Sequence, residues 1–581
     1  MSPARPLPPR PARPLLVLAA TIAAALFALS GCGSSAPSGT SASPATVVPS
    51  SAPLYIDAVV QPEGNLKTDA LTAGRRLTQR SNPFAGLLQL LQGPSGKAPA
   101  YESEVKPWLG PEGGVFLSSA NASGTQGGAS AAQELLQQAL SKALSEGFSG
   151  AEAALLGSGG LPSLLGQSSI QGALVLDTTD VGKARSFLEA QAHSAGAHAV
   201  SYRGVNFELA SDGIAEGIVH RFAVIGSEAG VKSVIDTATG GASLAHASAY
   251  AKLTSTAEAG RLANVYVDPD ELTHSVKAGG SGESLLELLR GLLGGTSQIY
   301  ASLIPSANSV ALDVDTLPSS SGSQTAESSP SGAQILRELP GTAWLALGVG
   351  DLGKALGGGA QGLRTLAKLA SGIQIGSFSI AKVFAPLNSP AIDVQHDLLS
   401  WIGPTGIYVS GSNILSLQAA VVITSKNPAL SRAAVAKLAS AYREAGGETS
   451  PTSIPGTEAA VTVKLPQFPL ALTLADGQGK FVLGLGQASI QEALSPQSTL
   501  ASSSLYSSAA SALGQGIQPS AAIEFHTLSG IIESLGLTQA PGFSGIASAL
   551  QPLSSLAAGT GESLAGGVKR ARVVVGLGAS G

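Results

Sequence analysis

The same ordered series of blocks occurs twice along the chain, so any fold must accommodate two similar halves. Trp108-Leu109-Gly110-Pro111-Glu112-Gly113 in the first half is matched by Trp401-Ile402-Gly403-Pro404-Thr405-Gly406 in the second. Each is preceded by a strand-like apolar run, Leu54 to Val60 and Ala343 to Val349. Downstream, Gly172 to Leu176 matches Gln418 to Val422, and Phe222 to Gly226 matches Phe481 to Leu485. Tyr250 and Tyr506 occupy corresponding helical segments, followed by the strands Asn264 to Val267 and Ala522 to Phe525. Conserved order with drifting spacing is the mark of a repeated structural unit.

Periodicity sets the fold class. Val181, Ala184, Leu188, Ala192 and Ala195 recur at helical spacing, as do Ala433, Val435, Leu438 and Tyr442. Val200, Tyr202, Val205, Phe207 and Leu209 alternate as a strand pair interrupted at Gly204. Short turns between strands require antiparallel pairing, so the expectation is α+β: two tandem repeats, each a mixed, largely antiparallel sheet packed with helices. The repeats span 53–317 and 333–581, divided by a Ser/Gly/Pro-rich linker over 318–332. The first repeat carries an insertion over about 119–169, with a helix from Ser130 to Glu146, and the windows 283–304 and 528–556 read as paired helices.

The address comes from the N-terminus. Arg5, Arg10 and Arg13 precede 15 uncharged residues from Leu15 to Leu29, and Ser30-Gly31-Cys32 follows. This resembles a bacterial lipoprotein signal peptide over 1–31, which implies lipid on the Cys32 sulfur and an N-terminus held in the membrane. The alternative, an uncleaved helix, has only the 18 residues from Pro14 to Gly31, where a span needs about 20. Either way the rest of the chain lies outside the cytoplasm, on the outer face of the plasma membrane. Residues 32–52 are rich in Ser, Thr, Pro and Ala and read as a disordered tether. Cys32 is the one cysteine in 581 residues, so no internal disulfide is available and stability must come from packing. Without the signal arginines the formal net charge moves from −5 to −8, which leaves no basic field for nucleic acid.

Ser51 to Gly64, together with Val105-Lys106-Pro107-Trp108-Leu109-Gly110, resembles the opening blocks of the domain-of-unknown-function 3352 family of actinobacterial envelope proteins. The resemblance covers nearly all of the mature chain and implies secretion and membrane anchorage. It carries no activity, substrate or catalytic residue.

Motifs for chemistry fail one by one. Gly348-Val349-Gly350-Asp351-Leu352-Gly353 fits a dinucleotide turn, but Lys368 and Leu369 lie in a helical run where an acidic strand end is required. As a phosphate loop it has Ala355 where a magnesium-binding hydroxyl belongs. Asp180-Val181-Gly182-Lys183-Ala184 repeats its Asp-x-Gly-Lys-Ala form, so Asp180 and Asp351 read as helix caps. Asp393, His396 and Asp397 share a helical face but lack a fourth metal ligand, and Asp268, Asp270, Glu271 and His274 read as capping of a helix begun at Pro269. Ser103-Glu104-Val105-Lys106 and Ser379-Ile380-Ala381-Lys382 satisfy SxxK without its companion motifs. Trp108 and Trp401, duplicated with the repeat, read as buried turn anchors.

The sequence therefore assigns one site residue, Cys32, as the lipid attachment point, with no catalytic residue, cofactor or metal site. The expected function is that of a membrane-anchored envelope lipoprotein that binds an envelope protein or polymer without catalysis. A carrier or sensor for an apolar ligand is the alternative, and an unrecognised hydrolase the third.

Overall fold

A computed structural model of the chain describes residues 42–78, 99–118, 171–269, 271, 296–318, 330–352, 374–375, 378–379, 383–384, 386–387, 389–413, 415–466, 468, 470–534 and 550–578. The signal segment with Cys32, the insertion over 119–169 and most of the linker lie outside the described residues.

Among the described residues ten strands form the first half: β1 (Leu54–Val59), β2 (Leu109–Ser118), β3 (Gln171–Thr178), β4 (His198–Tyr202), β5 (Val205–Leu209), β6 (Ile214–Val219), β7 (Phe222–Ser227), β8 (Ala263–Val267), β9 (Thr296–Pro305) and β10 (Ser309–Pro318). Ten more strands of the same sheet follow, apart from a separate two-residue pair, Gln374–Ile375 with Phe378–Ser379: β11 (Ala343–Val349), β12 (Ile402–Ser410), β13 (Gln418–Ser425), β14 (Glu448–Pro451), β15 (Ala459–Lys464), β16 (Leu472–Gly477), β17 (Lys480–Leu485), β18 (Ile517–Glu524), β19 (Leu553–Ser563) and β20 (Lys569–Leu577). The first ten run 4-5-6-7-3-2-1-8-9-10 across the sheet. The second ten run 14-15-16-17-13-12-11-18-19-20.

The fold is α+β, as expected, but its sheet is continuous and every pairing named above is antiparallel. β10 pairs with β20 from Ser309↔Gly576 to Thr316↔Lys569, which joins both halves into one 20-stranded sheet. Open twisted sheets seldom exceed about 10 strands without an added constraint. Here helices and buried clusters line both faces. On one face α3 (Glu228–Ala238), α4 (Ser248–Thr256), α5 (Pro330–Glu338), α7 (Gly486–Leu494) and α8 (Ser504–Leu513) cover the strands. On the other lie α1 (Gly64–Thr78), α2 (Val181–Ser194), α6 (Pro428–Glu444) and α9 (Phe525–Ser534).

Two expectations are corrected. The windows 283–304 and 528–556 end in strands β9 and β19; the second is helical through Ser534 and at Leu550, while 283–295 and 535–549 lie outside the described residues. The reason is period two: Tyr300 and Ser302 face one side of β9, Ala301 and Leu303 the other, and all four are buried. The tether also ends sooner than Ala52. Ala45, Val47, Val48 and Ala52 are buried in the first core, and Pro49 bridges Ser243. Small apolar residues among the serines supply enough buried surface to order this stretch, which composition alone obscured.

The join between β10 and β20 is locked by charge. Arg570 makes two bonds to Asp315, 2.7 Å from Nε to Oδ1 and 2.8 Å from Nη2 to Oδ2, and Arg572 makes the same pair of contacts to Asp313 at 2.5 and 2.7 Å. The spare N–H groups reach Glu258, the Thr256 carbonyl and the Leu513 carbonyl. Asp313 and Asp315 are each 1% exposed, so truncating either arginine strands a buried carboxylate. Arg570→Ala is expected to destabilise the protein by about 3–5 kcal/mol, read from the denaturant midpoint; a loss within surface-pair range, under about 1 kcal/mol, would show that the lock is dispensable.

Candidate functional site

The most unusual local chemistry lies on the α3/α4 face of the first half, where β1 turns a carboxyl toward the core. Strand alternation puts Tyr55 and Asp57 on one face, with Ile56 and Ala58 on the other. Register places Asn264 opposite Asp57 and Tyr266 opposite Tyr55 on β8, then Ser302 and Tyr300 on β9, then Asp313 and Asp315 on β10. A polar row thus crosses the sheet from Asp57 to the interhalf lock. Tyr250 of α4 leans onto Tyr55, Tyr266 and Tyr300 in edge contacts, with centroids 6.2, 5.4 and 6.0 Å away.

Asn264 Nδ2 donates to Asp57 Oδ2 at 2.8 Å. Tyr55 Oη, Asp57 Oδ1 and Asn264 Oδ1 are closed from solvent and have no hydrogen-bond partner. On the opposite neighbour, Gly114 makes room: a Cβ there would come within 2.7 Å of the Tyr55 ring and hydroxyl. Asp57 retains some accessible surface, yet its surroundings push the carboxyl up to about 7. Burial is the main cause; Glu112 adds to it, while the Asn264 bond and Arg261 oppose it. Glu216 on β6 is also pushed up to about 7, by burial and then by Glu208, its cross-strand partner, and Asp212.

The residues singled out from sequence are scattered. Trp108 and Trp401 are each 1% exposed, and their indole N–H groups donate to the Glu104 and Asp397 carbonyls at 2.7 and 2.6 Å. They pack on Phe187 and Phe481, so both are turn anchors. Asp180 caps α2 by accepting from the Lys183 N–H, and Asp268 accepts from the Glu271 N–H. Asp351 meets Lys426 at 2.8 Å, and the helix it is expected to cap lies beyond Leu352, outside the described residues. His396 Nδ1 lies 2.7 Å from Asp393, whereas Asp397 turns to Lys437 at 2.5 Å. Among the described residues no group of three or more His, Cys, Asp or Glu is placed to hold a metal ion, and no helix is long and apolar enough to cross a membrane. Asp270, His274, Ala355, Lys368 and Leu369 lie outside the described residues. Sequence reasoning passed over Asp57 and Asn264; the available signal was a lone carboxyl sharing the Tyr55 face of an otherwise apolar strand.

A family model, protein of unknown function DUF3352, matches residues 14–522. The chain belongs to the DUF3352 family. Among curated proteins none matches this member of the family. Solved structures similar to it include crystal forms I and III of TP0453, at 10% and 12% identity. They cover 49% and 53% of this chain and 82% and 90% of TP0453, with a TM-score of 0.24 in each case. At that score neither fold nor role is carried across.

An unpaired buried hydroxyl costs free energy that a ring hydrogen does not. Tyr55→Phe is therefore expected to be neutral or to stabilise by up to about 1 kcal/mol, measured by thermal melting. A loss of that size would mean that the hydroxyl is bonded.

Proposed function

We propose that this DUF3352 protein is a non-catalytic binding protein of the bacterial cell envelope, built from two copies of one module and anchored by lipid at Cys32 on the outer face of the plasma membrane. The observation that carries this reading is the shared strand order of the halves, fused through β10 and β20 into one sheet. Duplication of a module explains why the tryptophan anchors recur with the same carbonyl contact. A covalently fused pair sharing one sheet is a stiff platform, and stiffness favours recognition of a partner, because little ordering entropy is lost on binding.

The anchor reading rests on Arg5, Arg10, Arg13, the apolar run and Ser30-Gly31-Cys32. The binding reading is supported by how the polar side chains described above are used, as caps, anchors and ion pairs within the fold. The partner is an envelope protein or polymer, and nothing in the charge balance favours nucleic acid.

Cys32→Ala is expected to abolish lipid attachment and shift the protein from the membrane to the soluble extracytoplasmic fraction, as read by intact mass and fractionation. Membrane retention of an unlipidated Cys32→Ala chain would overturn the lipid anchor. Crosslinking in intact cells is expected to capture envelope components. Recovery of cytoplasmic neighbours alone would overturn the location.

A further inference from the structure

We propose that Asp57 and Asn264 form a cyclic carboxylic acid–carboxamide pair, in which a proton on Asp57 Oδ1 is donated to Asn264 Oδ1, so that the first half contains a buried proton-binding site.

The geometry comes first. A carboxyl and a carboxamide that face each other across a strand pair can share two hydrogen bonds in a ring, N–H to one carboxyl oxygen and O–H to the amide oxygen. One of these is present, Asn264 Nδ2 to Asp57 Oδ2 at 2.8 Å. The atoms that would make the other, Asp57 Oδ1 and Asn264 Oδ1, are the ones left without partners. Both are acceptors while Asp57 is ionised, so they cannot bond to each other; a proton on the carboxyl supplies the missing donor. The step is an uptake of a solvent proton by Asp57 Oδ1, with no other bond made or broken and the charge changing from −1 to 0.

The surroundings favour the neutral form. The groups acting on Asp57 are Tyr55 on its own strand, Glu112 on β2, Arg261 before β8, Tyr250 on α4 and Tyr300 on β9. Tyr266 packs on the Tyr250 ring beside them. Glu112 disfavours a second negative charge, Arg261 favours it, and the tyrosines remain neutral because burial raises them. Burial outweighs Arg261 and carries the Asp57 carboxyl from 3.8 to about 7. The corresponding position of the second half is Gly348, where a Cβ would lie 2.1 Å from the Gly332 carbonyl oxygen. A helix backbone stands there in place of a titratable side chain, so the proton site belongs to the first half alone.

The sign follows from linkage. A carboxyl raised on folding binds its proton more tightly in the native state, so its stabilisation is complete below the unfolded value and is lost as pH rises through about 7. Glu216 titrates in the same range, so the test uses the full chain carrying Glu216→Gln. Infrared difference spectra between about pH 5 and about pH 9 are expected to show a protonated-carboxyl band that disappears at high pH. Adding Asp57→Asn, which keeps a neutral cyclic pair with Asn264, is expected to remove that band and flatten the fall in melting temperature over the same range. A band unchanged by Asp57→Asn, or a site-57 carboxyl titrating at the ordinary 3.8, would overturn the proposal. Should Asp57→Asn fold poorly, Asn264→Leu, which keeps the carboxyl and removes its amide partner, is expected to shift the frequency of the band, and a band left unmoved would overturn the pair.

Discussion

Two short rows of charge hold the two halves together as one object. Arg570 and Arg572 sit on β20 directly across from Asp315 and Asp313 on β10. Backbone pairing alone could join the strands, but a bare edge between two ten-stranded sheets would also accept other strands or slip in register. A shift of two residues would keep every side chain on its face and still leave one arginine facing the wrong neighbour. A one-residue slip would turn both arginines to the α1 side, onto an apolar layer that includes Leu303 and Leu312. The fork-to-carboxylate geometry therefore does more for register than for net stability, since desolvation consumes much of the attraction between buried ions. Glu258 and the carbonyls of Thr256 and Leu513 satisfy the remaining guanidinium donors and tie the ends of α4 and α8 to the same lock.

From that lock the polar row continues through Ser302 and Asn264 to Asp57, across strands whose neighbours are otherwise packed tyrosine and aliphatic carbon. Such a row is costly unless each member is bonded. Asp313 and Asp315 meet the condition through the arginines. Asp57 meets it at one oxygen, and its remaining need is a proton. The carboxylates of this row thus take different routes, Asp313 and Asp315 paired with guanidinium and Asp57, on our proposal, neutralised by a proton, because the facing strand supplies arginine in one case and asparagine in the other.

Much of the architecture was legible from local blocks. Trp108 and Trp401 announced the same turn twice, and the apolar runs on either side of them became strands in the same order in each half. Asp180 was readable as a cap because its Asp-x-Gly-Lys-Ala setting is local. What escaped was long-range. The strands β9 and β19 fall within windows that read as helical because Leu-rich segments stand beside them, and β-pairing is decided by partners far away in the chain. The joining of β10 to β20 brings together residues more than 250 positions apart, such as Asp315 and Arg570, for which no local pattern exists. The Asp57–Asn264 pair, 207 positions apart, was hidden for the same reason.

The difference between Asp57 and Gly348 shows how halves with one strand order can diverge in chemistry without changing topology. Helix α5 lies against β11 in the second half, and the contact between Gly332 and Gly348 leaves no volume for a side chain. In the first half the described residues before β1 carry a single turn, Pro44–Thr46, too short to reach along the strand as a nine-residue helix does. The space released on that face is filled by the rings of Tyr55 and Tyr250, and aromatic rings stacked edge to face exclude water while leaving a carboxyl beside them poorly solvated. A change in the length of one preceding helix therefore converts a close backbone contact into a site where a proton can be held.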